Sequence, residues 1–90
     1  MKFLDKTKER FAKINSVLCM GLDPVWDNLP QEVKSDDVEK TLTSFFYSLL
    51  DNFADKVLVV KPNVAFFEPF GVAGHLALKK IISHAQEKGI

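Results

Sequence analysis

Apolar positions change their spacing several times along the chain. At Phe3, Leu4, Thr7, Phe11 and Ile14 they fall at helical steps, with Lys6, Lys8, Glu9, Arg10 and Lys13 on the remaining faces; this predicts a helix over residues 3–14. Val17–Leu22 is an apolar run without polar alternation, the signature of a short strand covered on both faces in a parallel sheet. Asp23-Pro24 closes it, and residues 24–35 then form a long irregular connection. Val38, Leu42, Phe45, Phe46, Leu49, Leu50 and Phe53 give the strongest helical stripe in the chain. Ser35 or Asp36 is placed to cap its start, and Asn52–Asp55 ends it. Val57–Val60 predicts a second buried strand, rich in β-branched residues and stopped at Lys61-Pro62. An aromatic loop over residues 62–71 leads into a third helix from Val72 to Lys88. Its expected inner face is Ala73, Leu76, Ala77, Lys80, Ile81, His84 and Ala85, with Gly89 as its C′ residue.

The order α-β-α-β-α predicts an α/β fold built from successive βα units on a parallel sheet. Ile90, an apolar residue after a helix-ending glycine, reads as the start of another strand, so residues 1–90 are expected to be part of a larger fold. In such folds ligands bind at the carboxyl ends of the strands. The reading places Asp23 directly after the first strand and Lys61 directly after the second. As neighbours they would share one rim, where a carboxylate and an ammonium suit hydroxyl groups and a charge network. Each also has a plain structural reading: Asp23 as a turn acceptor, Lys61 as a side chain reaching to solvent.

Composition narrows the classes. Twelve Lys and Arg balance twelve Asp and Glu in 90 residues, which argues against a nucleic-acid grip made of bulk positive charge. No apolar run approaches the roughly 18 residues of a membrane span, and the amino-terminal segment reads as a helix rather than a signal peptide, so the expected location is cytoplasmic. A single cysteine, Cys19, excludes an internal disulfide; inside a strand it reads as inert core. His75 and His84 lack metal-ligand spacing and read as structural or surface residues. Phe66, Phe67 and Phe70 read as a packing cluster, and Trp26 as an anchor for the long loop. Dinucleotide and P-loop signatures are absent from the sequence.

The segments Cys19-Met20-Gly21-Leu22-Asp23-Pro24 and Lys61-Pro62-Asn63-Val64-Ala65-Phe66-Phe67-Glu68 resemble the orotidine 5′-phosphate decarboxylases of the bacterial subfamily with GLDP and KPxxAFFE motifs. The resemblance runs from about residue 10 to the end of the chain. It implies a (β/α)8 TIM barrel of roughly 250 residues, to which residues 1–90 would contribute the leading helix and the first two βα units. It further implies a cytoplasmic homodimer, with sites at the dimer interface, that converts orotidine 5′-monophosphate to uridine 5′-monophosphate and carbon dioxide. This is the last step of de novo UMP synthesis, and no metal or organic cofactor takes part. By the same resemblance Asp23 contacts the ribose hydroxyls. Lys61 binds substrate and is the first catalytic member of a Lys-Asp-Lys-Asp network, whose other members belong to a DxKxxD motif not found in these 90 residues. Two other readings stay open. One is a different phosphate-binding barrel, such as a sugar-phosphate decarboxylase. The other is a short chain without catalysis that acts through its exposed strand edges.

Overall fold

The computed structural model describes residues 2–90. Four α-helices and a two-stranded parallel sheet follow in the order α1 (Phe3–Ile14), β1 (Cys19–Leu22), α2 (Val38–Phe53), β2 (Val59–Pro62), α3 (Val64–Phe67) and α4 (Gly71–Glu87). Short 3-10 turns at Trp26–Asn28 and Gln31–Val33 shape the long connection after β1, and a third at Glu68–Phe70 joins α3 to α4. This is an α/β fold with alternating helices and a small parallel sheet, arranged as a partial, unclosed barrel.

The core lies between one face of the sheet and the α2–α4 pair. Leu42, Phe46 and Leu50 of α2 meet Ala77, Leu78, Ile81 and Ala85 of α4, with Leu22, Leu29 and Phe67 closing the cluster. Glu39 pairs with Lys80 at 2.7 Å near the start of α2, and Asp51 pairs with His84 at 2.7 Å and Lys88 at 3.0 Å near its end. Residue numbers rise together along both helices, so α2 and α4 run in the same direction, as two successive βα units on a parallel sheet require. The Tyr47 ring stacks on the His84 imidazole at 4.1 Å between centroids, covering the outer side of the seam.

Small residues set how close α4 can come. A Cβ on Gly74 would lie 2.2 Å from the carbonyl oxygen of Phe67 and 2.9 Å from the Cβ of Phe70. Hydrogen at this position lets α4 lie against α3 and brings the fully buried Phe67 into the core, 6.0 Å from the Phe46 ring. At its other end α4 stops in a Schellman motif. The Ile90 N–H donates to the Ala85 carbonyl, the Gly89 N–H to that of Gln86, and Gly89 takes φ 85°. Ile90 packs back against the core, so the residue read as a strand start here completes the helix cap.

Several expectations are corrected. The first strand begins at Cys19, not Val17; Val17 is 75% exposed and Leu18 60%. Coverage on both faces fails because the helices cover only one side of this two-stranded sheet. Leu22 is buried on that side, while Cys19 and Gly21 are exposed on the other. Cys19 is therefore not a core residue. The second strand is displaced by two residues, from Val57–Val60 to Val59–Pro62. Lys61 consequently lies within the ladder rather than after it.

Pro62 is the last residue of the strand and belongs to the ladder. The Asn63 N–H points to Leu22 of β1, so by the two-residue alternation position 62 faces the free edge, where a missing donor breaks no bond of this ladder. The Asp37 side chain, rather than Ser35 or Asp36, caps α2 by accepting from the Lys40 N–H. Part of the aromatic loop is the helix α3. The buried stripe of α4 is Gly74, Ala77, Leu78, Ile81 and Ala85; Leu76 and Lys80 are exposed, because the close contact at Gly74 turns the helix that way.

The helix α1 has no buried residue. Long polar side chains hold it instead. The Arg10 guanidinium donates to the carbonyls of Ala54 and Val57, joining α1 to the turn between α2 and β2, and the Lys6 ammonium donates to the Ile90 carbonyl at 3.0 Å.

Replacing Gly74 with Ala is expected to cost about 1–3 kcal/mol, the usual range for forcing a methyl group into a closed contact. The midpoint of urea denaturation of the full-length protein carrying this sequence checks it. An unchanged midpoint would show that α3 and α4 separate freely.

Candidate functional site at the strand ends

Parallel pairing sets Cys19 beside Val59, Met20 beside Val60, Gly21 beside Lys61 and Leu22 beside Pro62. Side chains alternate along each strand, and cross-strand neighbours share a face. Met20, Leu22 and Val60 therefore point to the helices, and Gly21 and Lys61 to the opposite face. Asp23, two residues beyond Gly21, continues on Gly21's side. A Cβ built on Gly21 would sit 3.4 Å from Asp23 Oδ2 and 3.9 Å from its Cγ, so the carboxylate leans back over the glycine whose neighbour is Lys61. The two charged groups expected at the rim thus share one face and one end of the sheet. No ion pair joins them among the described residues. Both are exposed on the side the helices leave open.

The backbone around each is held firmly. Asp23 lies between Leu22 and Pro24, both buried. Lys61 lies between half-buried Val60 and Pro62. Beyond the ladder, the Asn63 N–H faces the Leu22 carbonyl at 3.4 Å, and the Asn63 side chain caps α3 by accepting from the Ala65 N–H at 3.2 Å. Asn63 joins this rim although the sequence reading gave it no role. The signal for it was the parity of the strand: two residues past Lys61, it follows the same face.

Chemically, the rim offers a carboxylate that accepts hydrogen bonds from hydroxyls and an ammonium that donates to anions or hydroxyls. Gly21 adds no side chain of its own to this face, and the Asp23 carboxylate leans over it. The other candidates fall elsewhere. His84 is taken up by Asp51 and Tyr47, His75 is exposed on α4, and no group of three or more metal-ligating side chains occurs among the described residues. Phe67 and Phe70 pack as expected of an aromatic cluster, while Phe66 is exposed. Trp26 anchors the connection after β1 through its ring contact with Phe70. An apolar groove of about 300 Å³ runs along the free edge of β2, lined among others by Phe3, Leu58, Val60, Ile82 and Ala85. It reaches the helix-facing residues Leu22 and Pro62 but neither Asp23 nor Lys61, so it is a gap in packing rather than part of the rim. No helix among the described residues is long and apolar enough to cross a membrane.

The class is that of an α/β protein with a small parallel sheet in a partial, unclosed barrel-like arrangement, with an acid and an ammonium on the open face at the carboxyl ends of its strands. Over most of its length the chain is similar, at 33–40% identity, to proteins named orotidine 5′-phosphate decarboxylase. The chain is 39% identical over 84 residues to the orotidine 5′-phosphate decarboxylase of Leptospira interrogans, covering 93% of this chain and 30% of that protein. It is 36% identical over 97 residues to the enzyme of the same name from Rhodopirellula baltica, covering 100% of this chain and 32% of that protein. With the one from Roseiflexus sp. it shares 40% over 82 residues, 91% of this chain and 29% of that protein. The chain therefore spans about 30% of the length of the curated relatives it matches. No family model matches it.

The seam between α2 and α4 carries a pH dependence of its own. Hydrogen bonds from His84 and then Lys88 hold the Asp51 carboxyl below its ordinary value. A carboxyl lowered by folding adds stability above the ordinary carboxylate range, near pH 4, and loses it as pH falls through the lowered value. Thermal melts across pH 2–7 are expected to show a shallower acid-side fall for Asp51→Asn than for the parent. Parallel curves would mean that solvent already screens the pair.

Proposed function

We propose that this chain forms the amino-terminal part of an orotidine 5′-phosphate decarboxylase. Residues 1–90 supply the leading helix and the first two βα units of a (β/α)8 barrel domain. The whole enzyme is a cytoplasmic homodimer that takes orotidine 5′-monophosphate to uridine 5′-monophosphate and carbon dioxide, without metal or organic cofactor. The observation that carries this reading is the shared open face of Gly21, Asp23 and Lys61 at the strand ends, within a stretch 33–40% identical to decarboxylases of that name. The unclosed sheet agrees with it, since the free edge of β2 and the groove beside it are where a third βα unit would add.

Asp23 accepts hydrogen bonds from the ribose hydroxyls on the exposed face it shares with Lys61. Lys61 contributes a fixed ammonium beside the sugar and pairs with carboxylates carried by the following strand of the complete barrel. Binding energy from the remote phosphate and ribose presses the substrate carboxylate into that charged surrounding. The bond from C6 to the carboxyl carbon breaks, carbon dioxide leaves, and the electron pair remains on C6. An ammonium positioned in advance stabilises that charge and protonates the carbon. That donor lies outside these residues, so Lys61 holds the network in place and the chain by itself has one of its four members. Charges of this kind are costly to bury unless paired, so removing one member affects all the others.

In the full-length protein, Lys61→Ala is expected to lower turnover of orotidine 5′-monophosphate by about 10²–10³-fold, the range seen when one preorganised electrostatic group is removed. Release of carbon dioxide from carboxyl-labelled substrate measures it. Turnover within twofold of the parent would remove Lys61 from the site. Magnesium-dependent turnover of a keto-sugar phosphate by the parent, with none of orotidine 5′-monophosphate, would replace the reading with that of a sugar-phosphate decarboxylase.

A further inference from the structure

The connection after β1 and the connection after β2 touch at one aromatic pair. The Trp26 ring lies 6.0 Å from that of Phe70, tilted by 50°. Lys34 places its ammonium 5.8 Å from the Trp26 centroid, within cation–π range. Phe70 is backed in turn by Gly74, where an added Cβ would come within 2.9 Å of the Phe70 Cβ. Trp26 is three residues beyond Asp23 and makes a 3-10 turn with Asn28 and the buried Leu29. Phe70 ends the 3-10 turn that follows α3, whose N-cap Asn63 is two residues after Lys61. The pair therefore bridges the two segments that leave the rim, one from the carboxylate side and one from the ammonium side.

Backbone pairing alone does not fix that spacing. The ladder stops at Leu22 and Pro62, and Asp23 lies one residue beyond it. Past that point the segment bearing Asp23 and the segment following Lys61 meet through the Asn63–Leu22 backbone contact and through Trp26 on Phe70. An aromatic contact contributes beyond its area burial and so biases which way a short connection leans.

We infer that Trp26 is a positioning residue for the rim: its contact with Phe70 sets the carboxylate of Asp23 at the distance from Lys61 at which both meet one ligand. The inference rests on the proposed function for its choice of ligand. Trp26 touches no reacting atom; it acts through Asp23. A residue that only adds stability would weaken ligand binding equally whatever stands at position 23. One that acts through Asp23 loses its effect once that carboxylate is gone.

The test is a double-mutant cycle on the full-length protein, titrated with uridine 5′-monophosphate, with circular dichroism melts to confirm that each variant is folded. Trp26→Ala is expected to weaken binding about tenfold in the parent and less than twofold in the Asp23→Ala background. Trp26→Phe, which keeps a ring against Phe70, should recover most of the affinity. Should Trp26→Ala fail to fold, Phe70→Leu removes the same contact from the other side and is expected to show the same dependence on Asp23. Losses that are equal in the two backgrounds, or a Trp26→Ala protein that binds as the parent does, overturn the inference and leave the decarboxylase reading intact. A parent that binds no uridine 5′-monophosphate overturns that reading first, and the inference with it.

Discussion

Pairing β1 with β2 so that Gly21 lies beside Lys61 is the constraint on which the other features depend. A slip of one residue would turn every side chain of one strand to the opposite face. Lys61 would then face α2 and α4, where a buried unpaired ammonium costs several kcal/mol. Leu22 opposes such a slip, since it is fully buried in the observed register and would turn to the open face in the slipped one. Burying side chains of this size contributes about 1.5–3 kcal/mol each. The core thus fixes the alignment, and the alignment presents the polar face as a by-product.

Packing on the helix side is asymmetric in a way that serves this arrangement. The α2–α4 seam sets Leu42, Phe46 and Leu50 of α2 against Ala77, Leu78, Ile81 and Ala85 of α4, while Gly74 lets α4 approach α3. Charged pairs at its two ends, Glu39 with Lys80 and Asp51 with His84 and Lys88, sit outside the apolar stretch and add direction more than strength. The helix α1 is the opposite case. Its apolar residues are uncovered, and Arg10 and Lys6 hold it by binding backbone carbonyls. A helix tethered by long side chains tolerates small shifts of the body it rests on.

Much of this was legible in the chain. The period of α2 was visible because seven large apolar residues repeat without interruption, and the order of elements followed from it. Gly89 was readable as a helix stop because a positive φ leaves few alternatives. Asp23 and Lys61 were visible as charges next to apolar runs. The strand limits were not. Val57 and Leu58 are as apolar as Val59 and Val60, and only the pairing partner decides which of them join the ladder. Coverage of both sheet faces was also misread, because an apolar run reports what a completed sheet would bury, not what the present neighbours cover. Cys19, Val17 and Leu18 are exposed for that reason. On α4 the stripe was turned because Gly74 carries no hydrophobic signal, although its missing side chain governs the closest contact in the fold. Asn63 has no role in the sequence reading because its place depends on the strand reaching Pro62 and on a short helix starting directly after it.

Pro62 has one more effect, on what can attach to β2 from outside. Its nitrogen lies on the free edge and carries no proton, so that edge is one donor short. A strand joining it must leave a carbonyl there to water or to a side chain. A stray edge-to-edge pairing cannot run past this point without that loss, whereas a partner with a turn or a bulge at the same height suffers none. The edge therefore discriminates by length and shape among strands of similar hydrophobicity that could add to β2.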